Sequence, residues 1–518
     1  MRRTLAATTL ALAMAVTGAL AAAVPFPSTA APTGRSAADP GKPADPPRPS
    51  DPAAALRTST SAQRVLAGRP AAADASATLA LRDLWLSLPG LTGTERRRAD
   101  ALLARPTDGV GDPFGFGYGV KAVKKCARNV CVHWVRSTTD APPSKRWVDL
   151  TLQQLQRTWR VQTGRLGYRT PLKDDRRGGN ELFDVYLKDV GSVGLYGYCA
   201  AESRVQRFLA AGYCVLDNDF AATQFPSPPR KSLKVTAAHE FFHAVQYAYD
   251  AEDDRWLMEA TATWMEERVA DNANDNRQYL PYGQLRDPSS PLDSYGGSAL
   301  DQYGNWAFFE FLSKRFGPKV VRNIWDKMAA DKKSPDFYST QAIVKVLANR
   351  GGFAKLFAQY AAGNTIPGKS YPEGGEWPRA AIDARAVLSR SERKLGPITR
   401  TLQHLSSANY VLRPDGSLGN TSWQLEVRIA GPERKASPAA YVLIDRRRGR
   451  TERHYVKLSR TGNAEVKLGF SHRRVEKVTI TLANASARYA CLRRSSWSCQ
   501  GRPRDDKARF ALRAVLRK

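Results

Sequence analysis

Leu233-Lys234-Val235-Thr236-Ala237-Ala238-His239-Glu240-Phe241-Phe242-His243-Ala244-Val245-Gln246-Tyr247-Ala248-Tyr249 holds neither glycine nor proline and predicts a single helix. Within it, His239-Glu240-Phe241-Phe242-His243 is an H-E-x-x-H. Four residues make about one helical turn, so both histidines project from the same face. Two imidazoles so placed can bind one Zn²⁺, with Glu240 beside the place of a bound water. The chain has 6 His and 17 Glu in 518 residues, so composition alone would give this spacing roughly 0.002 times.

A third ligand distinguishes the known zinc classes. The histidine-rich extension of the metzincins is absent, since Gln246 and Tyr249 stand where its Gly and His belong. No histidine lies between His243 and His404. A carboxylate on the following helix is therefore expected. Glu259 follows His243 after the acidic turn Asp250-Ala251-Glu252-Asp253-Asp254 and sits among Trp256, Leu257, Met258 and Ala260. Two antiparallel helices joined at that turn bring Glu259 to the metal, and His₂Glu leaves a fourth position for water. Of the competitors, Glu252 falls in the turn, and Glu266 and Glu267 are expected to face solvent or a basic side chain. Asp250 is read either as a partner of a zinc-bound imidazole or as a cap of the next helix.

Working outward, residues 111–395 mix helix and strand. Val130 to Val135, Phe183 to Leu187 and Tyr213 to Leu216 read as strands, the last expected to lie along the cleft and pair with an extended peptide. His133, on the first of these, is expected to be structural. Val148, Leu152, Leu155 and Trp159 line one helix face. Asp217 and Asp219 are weak candidates for calcium. After Pro397 the apolar period becomes two, as in Trp423, Leu425, Val427, Ile429 and again in Phe510, Leu512, Ala514, Leu516. The fold class expected is α+β: a zincin-like domain of mixed sheet and active-site helices over 111–395, then an antiparallel β-sandwich over 396–518.

The N-terminal part is of another kind. Met1-Arg2-Arg3, an apolar run from Leu5 to Val24 and Ala-x-Ala steps read as a secretory signal peptide over 1–30. No other run of 18 apolar residues follows, so no transmembrane helix is expected after its removal. Residues 31–76 are rich in Ala and Pro and are expected to be a disordered linker or pro-segment, and 77–110 a short helical segment. The cysteines fall in three local pairs, 126–131, 199–214 and 491–499, which an exported chain is expected to oxidise. The location expected is extracellular.

Lys and Arg number 79 against 49 Asp and Glu, a net charge of +30. From Thr401 to Lys518 the count is 25 basic and 9 acidic residues, a net of +16. The densest run, Arg446-Arg447-Arg448-Gly449-Arg450, reads as a loop between strands. Such a domain can hold anionic cell-wall or extracellular polymer. No specific nucleic-acid motif is present.

Trp256-Leu257-Met258-Glu259-Ala260-Thr261-Ala262 resembles the W-L-x-E-G-x-A block of gluzincin metallopeptidases of the M1 aminopeptidase type. That resemblance implies Glu259 as third zinc ligand. Here 15 residues separate His243 from Glu259 where M1 enzymes have 18, Ala260 replaces the Gly, and no G-x-M-E-N exopeptidase motif occurs. Thr263 holds the position of the Asp in the thermolysin-type E-x-x-x-D. The chain is also similar, over roughly residues 100–330, to secreted bacterial zinc metalloproteases, many actinobacterial. The stretches are Ala104 to Asp108, Cys131 to Trp134, Phe183 to Leu187, Leu195 to Tyr198, Leu216 to Phe220 and Ala238 to Asp250. These likenesses imply a zinc endopeptidase acting on peptide or protein, with Glu240 as general base. They further imply a Tyr or His donor from a later helix, for which Tyr303 is the candidate and Tyr295 the substitute. The competing expectation is an inactive zincin scaffold that binds or adheres through its basic sandwich.

Overall fold

The computed structural model describes residues 51–69, 76–108, 116–206, 208–296, 300–331, 336–419 and 422–518. The expected signal peptide and residues 31–50 lie outside them. Three helices come first: α1 (Pro52–Leu66), α2 (Ala77–Ser87) and α3 (Gly93–Leu103). The expectation of disorder over 31–76 therefore fails for 52–66. Asp51 caps α1 with Pro52 at its first position, and Ala55, Ser59, Ala62 and Val65 form a buried stripe at helical spacing. Alanine supplies a small apolar face that lies on neighbouring helices, which composition alone does not convey.

β1 (Val123–Ala127) and β2 (Val130–Trp134) form a hairpin, followed by α4 (Lys145–Trp159). β3 (Phe183–Lys188), β4 (Gly197–Gln206) and β5 (Leu209–Asp217) complete a five-stranded sheet of order β1-β2-β3-β5-β4. The β2–β3 and β3–β5 pairs are parallel, and β4 runs antiparallel to β5 at the edge. β5 is thus enclosed on both sides, and its reading as a peptide-binding strand is wrong. An all-apolar run marks a central strand, whose hydrogen bonds are already used. α5 (Pro229–Tyr247) lies under β4 and β5 and is followed by α6 (Arg255–Ala270). Then come α7 (Asp301–Gly304), α8 (Trp306–Phe316), α9 (Lys319–Met328), α10 (Ser339–Leu347) and α11 (Phe353–Gly363).

The remaining strands are β6 (Ala384–Leu388), β7 (Lys394–Leu402), β8 (Ser406–Pro414), β9 (Gln424–Ala430), β10 (Pro438–Arg446), β11 (Glu452–Val456), β12 (Asn463–Gly469), β13 (Val475–Asn484), β14 (Tyr489–Ala490), β15 (Arg502–Pro503) and β16 (Ala508–Arg517). Nine of them make a five-stranded sheet, β11-β10-β13-β8-β6, and a four-stranded sheet, β12-β9-β16-β7, while β14 and β15 pair with each other. Both contribute to one apolar core that includes Tyr410, Leu425, Val442, Ile480 and Leu512. Two details differ from expectation. β6 precedes residue 396, and its pairing with β8 is parallel, so the sheets are not wholly antiparallel. The opposite face of β10 and β13, with Tyr441, Leu443 and Ala483, belongs to the larger core built by the helices and the first sheet.

The three disulfides are Cys126–Cys131, Cys199–Cys214 and Cys491–Cys499. Among the described residues, no helix is long and apolar enough to cross a membrane. His133 is buried with Nε2 2.6 Å from Asp184 Oδ1. Asp184 also accepts from Arg105, whose guanidinium joins Asp174 and Glu202 in the same buried network. The Asp217 carboxylate is fully engaged, accepting from the amides of Gly191 at 2.6 Å and Phe220 at 2.7 Å. Those bonds staple a turn, so nothing there supports calcium.

Candidate metal centre

α5 and α6 form an antiparallel pair, as their contacts run in opposite order: Gln246 with Met258, His243 with Glu259, His239 with Glu266. Both helices are buried along most of their length, which is why neither is a simple amphipathic surface helix. Glu259 Oε2 lies 3.1 Å from His239 Nε2 and 3.8 Å from His243 Nε2. These ligand atoms lie within 4.8 Å of one another. Ligands about 2.0–2.1 Å from a tetrahedral ion stand roughly 3.3 Å apart, so the separation suits one ion.

The other ring nitrogens are held from behind. Gln246 Oε1 lies 2.7 Å from His243 Nδ1, while its amide donates to Met258 O and Thr261 Oγ1. The amide thus faces its oxygen to the ring, which assigns the proton to Nδ1 and leaves Nε2 with a lone pair. Burial drops the His243 pKa to about 4, keeping the ring neutral. Glu266 Oε1 lies 2.8 Å from His239 Nδ1. Burial opposes a charge on His239, but Glu259 and Glu266 outweigh it and hold its pKa well above the ordinary value. Two buried atoms, His243 Nε2 and Glu259 Oε1, have no hydrogen-bond partner. Unpaired buried polar atoms are costly, and a cation between them satisfies both. The nitrogen, nitrogen, carboxylate donor set fits a divalent first-row ion.

Two expectations about supporting residues are corrected. Glu266 does not face solvent: it is buried, and the basic side chain it meets is His239 of the site itself. Seven residues after Glu259, it shares that residue's helix face. Asp250 touches neither imidazole; its Oδ1 accepts from the Glu252 amide in the interhelical turn. Gln246 was missed altogether, although its position three after His243 places it one turn along the same face.

Glu240 Oε2 accepts from Thr78 Oγ1 at 2.9 Å, and that hydroxyl accepts from the Cys199 amide at 2.9 Å. α2 thus lies on the outer edge of β4 and anchors Glu240 from a region remote in sequence. Burial pushes the Glu240 carboxyl up to about 7, against the lowering by His239. Gly197 permits this closeness, since a Cβ there would sit 2.7 Å from Val215 O and 3.2 Å from Glu240 Cγ. The Tyr303 ring stands 6.1 Å from that of His239 and stacks on Tyr279 at 5.1 Å. Gly304, packed against Gly283 with no room for a Cβ, fixes the end of α7 behind it. Tyr295 is not part of this wall; its ring lies under the Arg255 guanidinium.

A cavity of about 230 Å³ opens beside His239 and Glu240. The start of α2, the Gly194 to Gly197 stretch, Glu266, Asp275, Tyr279 and Tyr303 line it.

No family model matches the chain, and no curated protein matches it. Among solved structures, one likeness is to a family GH115 4-O-methyl-alpha-glucuronidase with specificity for decorated arabinogalactans, at 10% identity and a TM-score of 0.14. It covers 56% of this chain and 38% of that one. At that TM-score it carries no argument about fold or chemistry.

Proposed function

We propose that the protein is a secreted zinc-dependent endopeptidase with a zincin-like catalytic domain. His239, His243 and Glu259 hold the ion. The observation that carries this reading is the pair of buried, unpartnered atoms, His243 Nε2 and Glu259 Oε1, beside His239 Nε2. When bound, zinc acidifies a water and polarises the carbonyl of the bond to be cut.

The chain's own residues do the rest. Glu240 Oε2 is engaged by Thr78, so Oε1 is the atom that takes the water's proton and later delivers it to the leaving amine. Tyr303 donates from its phenol to the developing oxyanion; burial, with the charge of Glu259, holds its pKa well above the ordinary value, so the proton is retained. Gln246 and Glu266 orient the imidazoles. The three disulfides support an oxidising, extracellular location. The basic strand-rich part, with Arg447, Arg448, Arg450, Arg473 and Arg474 exposed at adjoining turns, supports attachment to anionic polymer.

Metal content by mass spectrometry and cleavage of an unstructured protein test the reading together. Glu240→Gln is expected to keep one zinc per chain and to lose cleavage by at least a hundredfold. A wild-type chain that takes up no zinc, or a Glu240→Gln variant of full activity, refutes it.

A further inference from the structure

Three carboxylates line the cavity beside the metal centre: Glu240, Glu266 and Asp275. No lysine or arginine does so among the described residues, in a chain of 79 basic side chains. Glu240 and Glu266 are occupied by Thr78 and His239. Asp275 is different. It stands in the short turn Asp275–Tyr279, is 8% exposed, and touches neither a ligand of the ion nor Glu240. Its Oδ1 accepts from Ser227 at 2.5 Å and its Oδ2 from Gln278 at 2.8 Å. Those neutral donors fix the carboxylate but supply no countercharge, and no described cation forms an ion pair with it.

Tyrosines share this cavity with Asp275. Tyr196, Tyr279 and Tyr303 line the same cavity, and among the described residues none of their hydroxyls makes a hydrogen bond. Burial first, then the charges of Asp275 and Glu266, push the Tyr196 phenol up to about 12, which places that carboxylate and phenol in one field. A nearly buried carboxylate without a cation, sharing a cavity with the aromatic faces and unengaged hydroxyls of Tyr196 and Tyr279, complements a positive group: ion pair, cation–π contact and hydrogen bonds together. A neutral or acidic group entering here would leave Asp275 buried and uncompensated.

We infer that this cavity is a recognition pocket for a cationic group of the substrate, with Asp275 as its specificity-determining residue. The inference deepens the peptidase reading and rests on it for the placing of the pocket next to the scissile bond. The cation is a lysine or arginine side chain of an internally cut peptide; recognition of a free amino terminus is the alternative outcome, and would make the chain an aminopeptidase in place of an endopeptidase.

Calorimetry on the full chain, with zinc added, distinguishes these sources. The probes are N-acetyl-lysine amide (side-chain cation), norleucine amide (amino-terminal cation) and N-acetyl-norleucine amide (neither). At least one cationic probe is expected to bind tenfold or more tighter than the neutral one, and to weaken as salt is raised. Asp275→Asn is expected to erase that preference while zinc content is unchanged. On peptides carrying the favoured cation, it is expected to raise KM at least tenfold at unchanged kcat, and on uncharged analogues to leave KM the same or lower it, since no carboxylate is then left uncompensated. Equal binding of all three probes, or a preference that survives Asp275→Asn, overturns the inference. If the variant does not fold, the wild-type probe and salt series alone decides it. Selective binding without any peptide cleavage would refute the peptidase reading and leave the cationic pocket standing.

Discussion

Glu259 and Glu266 sit on one face of α6 and do different things to the same imidazole. Glu259 meets His239 at Nε2, the side of the candidate ion, and Glu266 meets it at Nδ1. In the proposed centre the first would hold the ion and the second would position the imidazole. Glu259→Ala is expected to abolish measurable zinc binding. Glu266→Gln keeps a hydrogen-bonding side chain and loses the charge, so a milder fall of about 10–100-fold in zinc affinity is expected. Competition with a chromogenic chelator measures both; equal effects would show that the two roles are not distinct. Glu240 stands on the adjacent helical position and takes its geometry from Thr78, 162 residues away.

At the scale of elements, α6 is positioned from the far end of the chain. The loop closed by Cys491–Cys499 docks on its first turn: the Cys499 amide donates to Asp254 Oδ1 at 2.7 Å, and the Trp256 indole donates to Ser498 Oγ at 3.2 Å. Trp256 is wholly buried one turn before Glu259. A loop this short constrains the unfolded chain by about 2.5 kcal/mol in the loop-entropy view. Replacing both cysteines with serine is expected to lower the unfolding midpoint by several degrees and to speed zinc loss, because the support of α6 loosens. A stopped-flow chelation experiment checks the second effect. The edge strand β4 has the same character: α2 covers it at Cys199, so only the Gly194 to Gly197 end borders the cavity.

For the whole molecule, the junction between the strand-rich part and the helices is electrostatic as well as apolar. His404, between β7 and β8, lies with Nε2 2.9 Å from Asp293 Oδ1 and Nδ1 3.2 Å from Asp506 Oδ1. Asp293 also accepts from Tyr489 and Ser498. Burial opposes the charge of His404, yet Asp293 and Asp506 raise its pKa to about 9. A raised histidine pKa stabilises the folded state fully below the unfolded value near 6.5, and that contribution is lost as pH rises through about 9. Its size is on the order of 3 kcal/mol. Denaturant midpoints of wild type and His404→Gln are therefore expected to differ most below pH 6.5 and to converge above about pH 9. A gap that grows with pH contradicts the assignment.

What the sequence determined by itself was local. The helix around His239, the strands and the three disulfide pairs are written in spacing, period and proximity along the chain, because each forms between residues near one another. The meeting of His239, His243 and Glu259 was legible too, since one short turn joins their two helices. Tertiary structure decided what no local pattern holds: which strand lies at the sheet edge, that Ala-rich 52–66 is a helix, that Thr78 reaches Glu240, that Glu266 turns inward, and that Asp275 shares a cavity with Tyr196 and Tyr303. Those contacts join residues tens to hundreds of positions apart. Their choice depends on which faces must be buried together once the whole core closes.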